Sequence, residues 1–105
     1  MLKLLLPFLF CNLLSGASFN CTKASSNVEK MICTDVFLSG LDTQMGTIYK
    51  EASKSTTNKK ELLDNQRIWI KERENCATTD CISSTTKNRI SQLENLISTK
   101  SQDIS

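Results

Sequence analysis

The chain has 105 residues, with 13 basic and 11 acidic side chains, five cysteines and no histidine. That length holds one small domain, and the near-even charge lacks the basic footprint that nucleic-acid binding requires. Without histidine there is no Ser-His or Cys-His nucleophile pair and no imidazole to hold a metal.

The opening MLKLLLPFLFCNLLSGA reads as an export signal. Lys3 supplies the positive start, residues 4–14 the apolar stretch, and Ser15, Gly16 and Ala17 the small residues a signal peptidase needs. Cleavage is expected after Ala17, with retention as an N-terminal anchor the alternative. The apolar run is shorter than the roughly 20 residues of a spanning helix, so no stable membrane span is expected after cleavage. Neither Cys11 nor Cys21 follows the small residue expected before a lipidated cysteine. Processing removes Lys3 and Cys11, which leaves 12 basic residues, 11 acidic residues and four cysteines.

Helical spacing dominates the remainder, which has no proline and only Gly40 and Gly46 as glycines. Ser26 and Glu29 form a capping-box pattern ahead of Val28, Met31 and Ile32, predicting a short first helix that ends near Cys33. Asp35 can cap a second helix whose apolar stripe is Leu38, Leu41, Met45, Ile48 and Ala52. Gly46 inside it costs about 1 kcal/mol relative to alanine and marks a point of close packing. The polar run SKSTTN turns the chain, and Asn58 with Glu61 opens a third helix. Its inward positions are read as Leu62, Leu63, Gln66, Trp69 and Ile70, with its end near Cys76. Thr79 or Asp80 caps a fourth helix along Ile82, Thr86, Ile90, Leu93 and Ile97. A flexible tail, 99–105, is expected from its low apolar content. The fold class is therefore all-α: a small, disulfide-stapled bundle or hairpin of about four helices over residues 18–98.

Cys21, Cys33, Cys76 and Cys81 form an even set in a short exported chain, which reads as a disulfide framework. Their spacings fit neither a zinc knuckle nor a redox C-x-x-C, so no metal or cofactor is expected. Pairing of Cys21 with Cys33 and of Cys76 with Cys81 is favoured because each joins chain neighbours. Pairing across the two ends is the alternative.

No catalytic constellation is visible, and the chain reads as a non-enzyme. Glu72 and Glu74 stand two apart on one helix and point in different directions. Trp69 and Arg73, at i and i+4, place a guanidinium over an indole face. The plainer reading makes Trp69 core and Arg73 its polar lid, snorkelling to water. The functional reading groups Asp42, Tyr49, Gln66, Trp69, Arg73 and Arg89 as a patch for a protein partner. Asp42 lies near the inward stripe of the second helix and should find a cation such as Arg73 or Arg89.

In order along the chain stand FNCTKASSNVEKMICTD, LSGLDTQMGTIY, QRIWIKERENC and DCISSTTKNRISQL. This series resembles the LprI-like family of small exported bacterial domains, named after a lysozyme inhibitor, over about residues 19–93. Leu41-Asp42, Tyr49, Gln66-Arg67, Trp69, Arg73, Arg89 and the four cysteines fall where that pattern has them. Val36 stands where a proline commonly follows the aspartate, and Met45 replaces a frequent leucine. The resemblance implies a periplasmic or secreted helical domain and, for some members, inhibition of a lysozyme by protein contact. It assigns no inhibitory residue. The two protruding segments, residues 52–60 with Lys59 and Lys60 and the turn between Cys76 and Cys81, are the candidate contact surfaces. The alternative function is an envelope module that binds another partner without inhibiting lysozyme.

Overall fold

The computed structural model describes residues 18–104, with side chains placed through residue 98. The expected signal at 1–17, with Cys11, lies outside the described residues. A single 3-10 turn (Cys21–Lys23) leads into four helices: α1 (Asn27–Thr34), α2 (Val36–Ser55), α3 (Lys59–Arg73) and α4 (Thr79–Ile104). Among the described residues there is no strand, and the fold is all-α as the periodicity predicts.

Local chemistry explains where each helix begins. At α1 the Ser26 hydroxyl accepts the Glu29 N–H at 3.0 Å, while the Glu29 carboxylate accepts the Ser26 N–H, a reciprocal capping box. Asp35 is a one-residue joint. Its N–H closes α1 on the Met31 carbonyl, and its carboxylate receives the Leu38 N–H at 3.1 Å to open α2. Val36 then occupies the first helical position and is 90% exposed, a site where a proline would fit without losing a hydrogen bond. Asn58 accepts the Glu61 N–H to start α3. The cap of α4 lies one residue earlier than expected. Thr78, in place of Thr79 or Asp80, accepts the Cys81 N–H at 3.1 Å. Helix α3 also stops earlier than expected, at Arg73, and a turn carries the chain to Cys76.

Packing places α4 most extensively against α2, with α1 folded over the start of α2. The Ser39 hydroxyl donates to the Ile32 carbonyl and ties α1 to α2. Two apolar clusters result. One joins Val28, Ile32, Leu38, Cys76 and Ile82, and the other joins Met45, Ala52, Leu62, Trp69, Ile90 and Leu93. The predicted stripes of α1, α2 and α4 face these clusters. On α3 the stripe is different: Leu63 and Ile70, expected inside, are exposed at 40% and 38%, while Arg73 is buried. The buried row Leu62, Gln66, Trp69, Arg73 has the helical spacing of four, three and four, and it turns Leu63 and Ile70 outward. The backbone of α4 continues helically through residues 99–104, the segment that composition reads as a tail.

Both expected disulfides are present. Cys21–Cys33 ties the 3-10 turn to the end of α1, and Cys76–Cys81 clamps the α3–α4 turn. Loop entropy assigns them about 3 and about 2 kcal/mol. In a domain whose total stability is of order 5–15 kcal/mol, these are large shares.

Candidate functional site

Asp42 on α2 and Arg73 on α3 meet between the two apolar clusters. Arg73 Nη1 donates to Asp42 Oδ1 at 2.5 Å, and the two side chains are 1% and 4% exposed for the acid and the cation. The guanidinium carbon of Arg73 lies 4.6 Å from the centroid of the Trp69 ring, one turn earlier on α3. The indole Nε1–H, in turn, donates to the Thr85 carbonyl of α4 at 3.3 Å. The expected stacking is therefore present. The expected lid is not, because Arg73 turns inward to the acid and does not snorkel to water.

A second polar group sits between α3 and α4. Gln66 Nε2 donates to Met45 Sδ at 3.2 Å, and Gln66 Oε1 accepts Arg89 Nε–H at 2.8 Å. Arg89 Nη1 donates to Gln92 Oε1 at 3.1 Å, while its Nη2 is buried without a hydrogen-bond partner among the described residues. Burial pulls the Arg89 guanidinium below its usual range, opposed by the nearby Tyr49. Tyr49 is half-buried against the second cluster. Of the two cations proposed for Asp42, it is Arg73 that pairs with it.

The six patch residues are thus brought together as an internal polar spine. Five of them show at most 8% of their surface, which leaves a partner little to touch. Sequence reasoning missed Ser18, whose N–H and hydroxyl both reach Asp42 Oδ2, at 2.8 and 2.5 Å. Gly46, one turn beyond Asp42, was the available signal: a Cβ there would sit 2.9 Å from that of Ser18.

The outward surfaces differ in how free they are. In the 52–60 segment Lys59 Nζ donates to the Ser53 carbonyl at 2.6 Å, and Lys60 pairs with Asp64 at 2.7 Å. Both lysines are engaged close to their own segment. At the other end of α3, an open groove of about 330 Å³ runs between α3 and α4 beside the Cys76–Cys81 bond. The exposed side chains of Glu72, Asn75, Asn88 and Gln92 line it, together with Trp69. Among the described residues no cluster of metal-binding side chains occurs, and no helix is long and apolar enough to cross a membrane.

No curated protein and no solved structure matches the chain. A family model described as "Lysozyme inhibitor LprI" does match, over residues 21–93. Its span runs from the first cysteine of the framework to Leu93, a fully buried residue of α4. The chain therefore belongs to the LprI lysozyme-inhibitor family.

Proposed function

We propose that this chain is an exported inhibitor that blocks a lysozyme-type muramidase by protein–protein contact, acting as a binder and not as a catalyst. The family match over the whole disulfide-stapled core is the observation that carries this reading. The export signal expected from the sequence, together with the two disulfides, fits an oxidising compartment, the periplasm or the exterior, where a muramidase would be met.

Within that reading the corner between α3 and α4 is the contact surface. A short disulfide holds its turn in one shape, so little conformational entropy is lost on binding. Its groove offers exposed amides and a carboxylate, whereas Lys59 and Lys60 of the 52–60 segment are already held by local partners.

The deciding experiment mixes the purified, oxidised protein with c-type and g-type lysozymes and follows cell-wall lysis. Loss of lysis at micromolar protein is expected for at least one class, and full activity of both would sink the proposal. Asn75→Arg and Asn88→Arg should weaken inhibition, whereas Lys59→Ala and Lys60→Ala should leave it unchanged. The reverse pattern would move the contact surface to the 52–60 segment.

A further inference from the structure

Asp42 has two carboxylate oxygens in a site that is 1% exposed, and they are served from different places. Oδ1 takes Arg73, whereas Oδ2 takes Ser18, through its backbone nitrogen at 2.8 Å and its hydroxyl at 2.5 Å. Helix α2 shapes the receiving surface: Asp42 supplies the acceptor, and Gly46 removes the side chain that would strike Ser18. An open cleft of about 190 Å³ flanks Ser18, bordered by Thr47 and Lys50. Ser18 itself is exposed beside this cleft, while its nitrogen is held by the carboxylate.

The sequence singles out the same nitrogen independently. Cleavage after Ala17, expected from the small residues 15–17, would make Ser18 the first residue of the mature chain. We propose that the α-ammonium group created by this cleavage is the second cation on Asp42, so that export processing completes a buried charge cluster and locks the N-terminus onto α2. In the reaction the Ala17–Ser18 amide bond breaks. Water supplies the oxygen of the new Ala17 carboxylate, which leaves with the signal, and the Ser18 amine takes up protons to become the ammonium. An α-amine titrates ordinarily near about 8, so the group is mostly charged at neutral pH.

The charges around the nitrogen can accommodate it. Asp42 lies on α2, Arg73 on α3, and Glu29 of α1 is near enough to Arg73 to feel its field. Two acids then accompany two cations, with the exposed Lys50 at the outer edge of the cleft. Replacing the neutral N–H by an ammonium adds a direct charge–charge attraction to a hydrogen bond whose acceptor is already ionised.

The test uses the full-length precursor exported by a bacterial host and recovered from outside the cytoplasm. Intact mass and N-terminal sequencing should find Ser18 first, and a different first residue would overturn the proposal. The mature protein is then compared with a form carrying one extra alanine before Ser18, in the native and Asp42→Asn backgrounds. The extension should lower Tm by about 4 °C or more with Asp42 present and leave it unchanged in Asp42→Asn. Equal Tm values for the two native-background forms would overturn it. Should Asp42→Asn fail to fold, the rate at which an amine-reactive reagent labels the Ser18 nitrogen at neutral pH decides in its place. Labelling at least about tenfold slower in the folded than in the urea-unfolded mature protein supports the paired ammonium, and equal rates reject it.

Discussion

Arg73 of α3 and Asp42 of α2 form an ion pair closed at 2.5 Å and shielded from water on both sides. Arg73 is further covered by the Trp69 ring, and Asp42 by Ser18. The pair ties α3 to α2 and fixes which face of α3 turns inward.

Removing either partner alone should be severe. Arg73→Ala or Asp42→Ala leaves an uncompensated buried charge, with an expected loss of about 3–5 kcal/mol. A paired apolar replacement, Asp42→Leu with Arg73→Met, should cost clearly less than the two single losses added together. Urea denaturation of wild type, the single replacements and the double measures the cycle, and strict additivity would contradict the pairing.

The two glycines of α2 should respond in opposite ways to alanine. Nothing lies within 4 Å of the position that a methyl group would take at Gly40, so Gly40→Ala should stabilise the helix by about 0.5–1 kcal/mol. A methyl at Gly46 would meet Ser18 at 2.9 Å, so Gly46→Ala should lose that gain or become destabilising. Thermal unfolding of both variants separates propensity from close approach.

Glu29 should make the capping box sensitive to acid. Hydrogen bonds from the Ser25 and Ser26 backbone N–H groups, its largest influence, hold its carboxyl below the usual value of 4.5. A lowered folded value means that the stabilisation is present above about pH 4.5 and is lost as pH falls through the folded value. Wild type should therefore exceed Glu29→Gln in urea midpoint at about pH 7, and the gap should narrow at about pH 3. A gap that stays constant with pH would exclude the carboxylate as its source.

Each disulfide should contribute on the scale of its loop. Replacing Cys76 and Cys81 together by serine should cost about 2 kcal/mol, and replacing Cys21 and Cys33 about 3 kcal/mol. Thiol titration of the denatured mature protein should find no free thiol, because Cys21, Cys33, Cys76 and Cys81 are all paired.

Much of the fold is legible along the chain because its signals are local. Ser26 and Asn58 are read as caps from the acids three positions on, and Asp35 from its place ahead of an apolar stripe, and all three cap as read. The stripes of α1, α2 and α4 follow from one dominant apolar face on each helix. The short separations of Cys21 from Cys33 and of Cys76 from Cys81 favour the pairs that form. On α3 the same reasoning places Leu62, Gln66 and Trp69 inside as found but errs at Leu63, Ile70 and Arg73, because two rows compete: Leu62, Gln66, Trp69 and Arg73 on one side, Leu63 and Ile70 on the other. Apolar content alone favours including Leu63 and Ile70. The inward face is chosen instead by Asp42, an acid on another helix that needs a cation where water cannot reach. For the same reason Ser18 carries no visible role in the sequence: its partner is 24 residues away, and only the close approach at Gly46 brings the two together. Caps, periodicity and short cysteine loops depend on neighbours along the chain, so sequence determines them. The buried charge pairing and the open corner groove depend on how whole helices meet, and only the tertiary structure decides those.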